Sequence, residues 1–209
     1  MLMKRITTPT IRGLFPTELK FDSVIFREIA PQYFDFLVRI YNDQNILGAS
    51  RSITQKVTLE SQNKWYEAYL ERDERYYIVT RASDGRPIGT NSFNYLDPGE
   101  MNLIAGRLVY DKNATDDYRR YLFDHAVGMR SYVFDIGIKR LYAYVKKGNI
   151  AAEKFVFRSG YYRTDEIKYR DYLGQQQNEF NEYILTKENF YAAKEKFASI
   201  YLSRQDLNQ

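Results

Sequence analysis

Residues 145–162 read VKKGNIAAEKFVFRSGYY, and the pattern divides without remainder into strand end, short helix and stop. Arg140 to Val145 (RLYAYV) alternates as a strand, Asn149 to Arg158 forms a short helix, and Gly160 ends it. Upstream, Thr115 followed by Asp116 and Asp117 is a helix start, and acidic residues in a first turn favour the positive end of the helix dipole. Leu122, Ala126, Met129 and Val133 then share one face, so a long helix runs from Asp116 to Asp135 and stops at Gly137. Strand, long helix, strand, short helix is the spine of the chain. A strand, helix, strand passage of this kind makes a parallel pair, so the strand at Met101 to Tyr110 and the strand at Arg140 to Val145 are expected to be parallel neighbours, splayed at one end.

Outward from the spine, alternation predicts a strand at Ser23 to Ile29, and Pro31 opens a helix through Tyr41. Asn42 to Lys56 is polar and broken by Gly48, hence a loop or a broken helix. Thr58 caps a helix of sequence LESQNKWYEAYLER, with Trp65, Tyr69 and Leu70 as its buried stripe. Arg75 to Arg81 and Pro87 to Tyr95 form a hairpin about Ser83-Asp84-Gly85. Strands near Glu166 to Tyr172 and Phe180 to Thr186 follow the short helix. A last helix, Glu188 to Leu202, places Phe190, Ala193, Phe197 and Ile200 on one stripe, which must be buried against the domain or against a second copy in a homodimer. The expected fold class is therefore α/β (α+β): one mixed sheet of about seven strands flanked by helices. Residues 1–22 form an N-terminal extension, 23–186 the domain and 187–209 a C-terminal helical extension.

Composition narrows the chemistry. The chain has 209 residues, enough for one full core, with no cysteine and one histidine, so thiolate, disulfide and His-rich metal sites are excluded and no metal is expected. Its 31 basic and 27 acidic side chains are interspersed without a dense basic block; this points away from nucleic acid and toward small anionic ligands such as coenzyme A or a nucleotide diphosphate. Pro9, Gly13 and Pro16 interrupt the start of the chain before any long apolar run, matching neither a signal peptide nor a membrane span, and a cytoplasmic location is expected.

The element order, together with TLESQNKWYEAYLERDERYYIVTRASDGRPIGT (58–90), YVFDIGIKRLYAYV (132–145) and the 145–162 stretch, resembles the GNAT superfamily of N-acyltransferases. The first stretch is similar to GNAT enzymes that acylate amino sugars on nucleotide carriers, among them the pseudaminic-acid-pathway N-acetyltransferases. The last is similar to the RimJ/RimL-like branch in the order and spacing of Val145, Asn149, Ala152, Phe157, Gly160 and Tyr161. The resemblance implies acetyl-CoA or a longer acyl-CoA as co-substrate, its pantetheine arm between the two splayed strands and its pyrophosphate at the start of the long helix. It places Leu108, Val109 and Tyr110 as backbone contacts, Arg119, Arg120 and Tyr121 around the pyrophosphate, and Asn149 and Ala152 against the cofactor, with Asn149 and Asn94 as catalytic candidates. Asn45 and Arg51 in the loop, Asn91 with Ser92 on the third strand, and His125 are the candidate acceptor contacts, although a lone helix histidine is more often buried structure. The implied reaction is transfer of an acetyl or larger acyl group to the amine of a nucleotide-linked deoxyamino sugar. A RimJ/RimL-type protein N-terminal or small-amine acetyltransferase and a catalytically inactive GNAT-like interaction module remain the alternatives.

The sequence departs from the family in two places. The stretch DKNATDDYRRYLFDHA (111–126) lacks the glycines that let backbone N–H groups close on a pyrophosphate, so Arg119 and Arg120 are the expected substitutes. Val156 stands where relatives carry a tyrosine beside the departing sulfur, and Asn102 and Glu100 are the nearest polar residues where some relatives carry a base.

Overall fold

The computed structural model describes residues 9–48, 56–114, 117–171 and 177–202. A short helix α1 (Ile11–Leu14) and strand β1 (Glu18–Phe21) precede β2 (Val24–Glu28). A 3-10 turn at Pro31–Tyr33 feeds α2 (Phe34–Asn42), followed by α3 (Gln44–Leu47) and α4 (Leu59–Leu70). Then come β3 (Glu74–Arg81), β4 (Pro87–Asp97), β5 (Asn102–Tyr110) and α5 (Tyr118–Asp135). The chain continues through β6 (Arg140–Lys146), α6 (Ile150–Arg158), β7 (Tyr162–Asp171), β8 (Gln177–Thr186) and α7 (Lys187–Leu202).

All eight strands form one mixed sheet in the order β1-β2-β3-β4-β5-β6-β8-β7, antiparallel throughout except for the parallel pair β5 and β6. The expected parallel neighbours are therefore present. Beneath the sheet, β3 splits its side chains between two cores, since successive residues point to opposite faces. Tyr77 and Val79 join α1, α5, α6 and α7 residues in the larger core; Tyr76 and Ile78 join α2 and α4 residues in the smaller one.

Three local differences from the sequence reading have plain causes. Residues 11–21 are not an irregular extension: α1 caps on Thr10, and β1 pairs with β2 from Glu18 opposite Arg27 to Phe21 opposite Val24. A four-residue edge strand leaves only two inward residues, Leu19 and Phe21, too few for alternation to announce. Leu70 is 48% exposed, so the buried stripe of α4 is Gln62, Trp65 and Tyr69 instead. Finally, α5 starts at Tyr118 with Asp117 outside it as the cap, its side chain accepting from the Arg120 amide at 3.4 Å; Asp117 is not a first-turn residue, and Asp116 lies outside the described residues.

The helices behave otherwise as their sequences dictate. Thr58 and Ser61 form a reciprocal capping box at the start of α4. Gly160 has φ +97°, and a Cβ there would lie 2.7 Å from the Asn189 carbonyl, so its lack of a side chain both ends α6 and admits α7. Phe190 and Phe197 of α7 are each 1% exposed and pack into the larger core, Phe197 against Phe123 and Phe155. Among the described residues no helix is long and apolar enough to cross a membrane.

Candidate active site

β5 and β6 are in register only from Asn102 opposite Arg140 to Ile104 opposite Tyr142. Beyond that point β5 continues on β4, while β6 continues on β8. The strands diverge because β5 carries a bulge: Thr90 faces Val109 and Ser92 faces Gly106, so Asn91 opposes both Arg107 and Leu108, and Arg107 has φ +50°. Thr90 donates its hydroxyl to the Arg107 carbonyl at 2.6 Å and holds the bulge in place. The gap opens a cleft of about 1060 Å³ that passes through the sheet, from the α5 and α6 side to the α2 and α4 side.

Leu108, Val109 and Tyr110 line this cleft from β5, with no β6 partner, and Leu108 is 37% exposed. Their backbone groups are thus on an open inner edge, where an extended ligand can take the place of the missing strand. The opposite lip is the start of α6. Asn149 is its cap, accepting from the Ala152 amide at 3.2 Å, and Asn149, Ile150, Ala151 and Ala152 all line the cleft. Tyr118, in the first turn of α5, lines it too, so two helix N-termini meet at one mouth and favour negative charge there.

The two arginines expected to hold a pyrophosphate are elsewhere. Neither Arg119, Arg120 nor Tyr121 is among the residues that line the cleft. Arg120 is occupied, its guanidinium 3.9 Å from Asp22 and 3.8 Å from Asp124. Tyr121 packs on the larger core, and its carbonyl accepts from the Tyr110 hydroxyl. The cation present at that end is Lys112, which the sequence reading did not single out. Nearby Asp111, 1% exposed, is neutralised by Arg39 Nη2 at 2.6 Å.

His125 is 4% exposed on the α5 side, its ring edge-on to Phe26 and its Nδ1 3.0 Å from the Tyr110 hydroxyl. Burial pushes its pKa down to about 3, with Arg130 adding to the shift, so the imidazole is neutral. It forms part of the cleft wall beside the larger core. Asn91, directly opposite Tyr77 and therefore also on that side, is 4% exposed, and its Oδ1 has no hydrogen-bond partner. Asn94 lies opposite Glu74 and donates weakly to the Tyr95 carbonyl at 3.4 Å. Asn45 lines the α2 and α4 side from α3, and Arg51 lies outside the described residues. Val156 is buried in the cleft wall, Asn102 lies in the paired base of β5 away from the lining, and Glu100 is paired with Lys139 at 3.5 Å.

Three lining residues carry chemistry that sequence reading missed. Gln62, on the buried stripe of α4, is 6% exposed with its Nε2 unpartnered. Arg107 stacks over Trp65 at 5.4 Å and Tyr76 at 5.5 Å while paired with Glu74. Arg130, from the middle of α5, is 6% exposed. With Lys56, Lys112 and Lys146 the cleft wall holds five cationic side chains, and among the described residues that line it there is no carboxylate.

No known protein-family model matches the chain, and no curated protein matches it in sequence. Solved structures do match in fold. A GCN5-related N-acetyltransferase from Brucella melitensis superposes with a TM-score of 0.72 at 14% identity, over 94% of this chain and 90% of that one. FdhC, a nucleotide-linked sugar GNAT, gives 0.62 at 19% identity over 90% and 99%. Spermidine N-acetyltransferase from Vibrio cholerae, solved with CoA and spermine, gives 0.64 at 11% identity over 81% and 99%. The chain has the fold of the GNAT N-acetyltransferases.

Proposed function

We propose that the protein is an acyl-CoA-dependent N-acyltransferase whose acceptor is the amine of an anionic small molecule, a nucleotide-linked deoxyamino sugar. The observation that carries this is the charge of the cleft, five cations and no carboxylate among the described lining residues. Such a wall suits two anionic substrates and repels a polyamine, the ligand of one structural neighbour. The donor fits the residues present: the open edge of Leu108 to Tyr110 for an extended amide-bearing arm, and the two helix N-termini with Lys112 for its phosphates. On the other side of the sheet, Trp65, Tyr76 and Tyr41 offer aromatic faces, and Gln62 an unpartnered donor, for a sugar or base.

The donor supplies an acyl group activated as a thioester. The acceptor amine attacks its carbonyl carbon directly; the C–N bond forms, the C–S bond breaks, CoA leaves as a thiolate, and the extra amine proton passes to solvent. With no carboxylate among the described residues of the wall, no strong base is supplied, and Val156 brings no hydroxyl where relatives carry a tyrosine. An amino-sugar amine has a substantial neutral fraction near pH 7, and a thiolate leaves without prior protonation, so the chemistry proceeds with positioning alone.

The test is a thermal-shift and turnover experiment on the full chain. Acetyl-CoA at a hundred times its dissociation constant should stabilise the fold by about 2.7 kcal/mol. CoA release should depend on a nucleotide-linked amino sugar and not on spermidine or a peptide N-terminus. Turnover of spermidine alone would overturn the acceptor class, and no stabilisation by acetyl-CoA would favour the inactive-module reading.

A further inference from the structure

Among the described residues Arg130 is a buried cation with no carboxylate partner. Its Nη1 has no hydrogen-bond partner, while the Tyr161 hydroxyl accepts a hydrogen bond from the guanidinium and the Tyr201 phenol also acts on its charge. Its guanidinium lies 5.2 Å from the ring centres of both Phe155 and Tyr161, which fix its position from two sides. A guanidinium cannot shed its charge at any ordinary pH, so burying one in aromatic surroundings is costly unless a counter-charge arrives.

The cleft is where that charge enters. Tyr118, Leu122, Ala126, Met129 and Arg130 line it along one side of α5. The twelve helical steps from Tyr118 to Arg130 span about 18 Å. Tyr118 marks the mouth with the two helix N-termini and Lys112, so phosphates held there are more than three turns away from Arg130. Between them the wall is mainly apolar, formed by the buried Ala126, Met129, Phe155 and Val156 with the neutral His125 beside them. A mainly apolar passage closed by one guanidinium without a carboxylate partner complements a short methylene chain ending in a carboxylate, which arginine binds through two parallel hydrogen bonds.

We propose that Arg130 receives the distal carboxylate of the acyl donor, so that the preferred co-substrate is a dicarboxylic acyl thioester such as succinyl-CoA. This rests on the acyltransferase reading above. The transfer is unchanged in its balance: the thioester C–S bond breaks, the C–N bond forms, and the distal carboxylate moves with the acyl group intact.

Titration of the full chain with CoA, acetyl-CoA, butyryl-CoA and succinyl-CoA tests the proposal without any substitution. Succinyl-CoA should bind at least tenfold tighter than butyryl-CoA, which has the same number of acyl carbons and no carboxylate. Arg130→Met, checked for folding by its melting curve, should lower the succinyl-to-butyryl preference at least tenfold, and Arg130→Lys should keep part of it. Equal affinity for the two thioesters in the wild type, or a preference that survives Arg130→Met, overturns this inference alone. Failure of all four ligands to bind overturns the acyltransferase reading along with it.

Discussion

The Tyr110 hydroxyl lies 3.0 Å from His125 Nδ1, and this contact ties the open half of β5 to α5 within the cleft wall. The same hydroxyl lies 3.3 Å from the Tyr121 carbonyl, so it bridges two groups of α5, with the donor at the shorter contact set by the imidazole tautomer. His125 is a neutral ring built into the wall.

Its depressed pKa, about 3 against an ordinary value of 6.5, fixes a sign. Between these values the unfolded chain binds a proton that the folded chain refuses, so stability falls as pH drops below about 6.5, by at most about 1.4 kcal/mol per pH unit. The adjacent Asp124 carboxyl is shifted upward by burial and acts in the opposite direction in the carboxylate range, so the measurement belongs between pH 5 and 7. Melting curves over that interval should show a decline that His125→Gln lacks; parallel profiles would mean that the ring is solvated.

Lys112, rather than Arg119 or Arg120, should govern donor affinity at the mouth. One charge-assisted contact contributes about 1.5–3 kcal/mol, so Lys112→Ala should weaken acetyl-CoA binding by at least about tenfold. The Arg119→Ala/Arg120→Ala double variant should change it less. Isothermal titration of the three proteins decides the order, and a larger loss in the double variant would restore the arginine clamp.

Gln62→Leu should act on the acceptor. It keeps the bulk of the side chain and removes the unpartnered Nε2, so the acceptor KM should rise about tenfold while the KM for acetyl-CoA moves little, as expected for one lost hydrogen bond in a desolvated site. Equal changes in both KM values would place Gln62 in general packing.

Phe197 is the anchor of α7, touching Phe123, Phe155 and Tyr201. Phe197→Ala should cost about 3–5 kcal/mol in a urea titration. A loss below about 1 kcal/mol would mean that α7 rides on the surface.

Most of the architecture was legible because it rests on local signals: alternation, caps such as Thr58, and stops such as Gly137 and Gly160. β1 escaped because four edge residues carry too short a pattern, while α3 is the broken helix that the stretch interrupted by Gly48 left open. Leu108 to Tyr110, Asn149 and Ala152 were singled out by their place in the recognisable order of elements, and all five line the cleft. Gln62, Lys112 and Arg130 were not. What distinguishes them is the lack of a partner or the direction they face, and a sequence lists residues without their neighbours. Two hints were available in hindsight: Gln62 occupies the same stripe as Trp65 and Tyr69, and Arg130 falls four residues after Ala126, beside an apolar face. Arg119 and Arg120 were drawn in by nearness in sequence to the helix start, but neither lines the cleft, and Arg120 turns toward Asp22 and Asp124.

The short register between β5 and β6 makes the sheet two leaves sewn by a single seam, Asn102–Ile104 against Arg140–Tyr142. One leaf carries β1 through β5, the other β6, β8 and β7, and above the seam nothing in the sheet itself joins them. A ligand lying in the cleft would be the missing stitch, bonded to both leaves at once. Amide exchange in the upper halves of β5 and β6 should therefore slow together when donor binds, while exchange along the seam stays as it was.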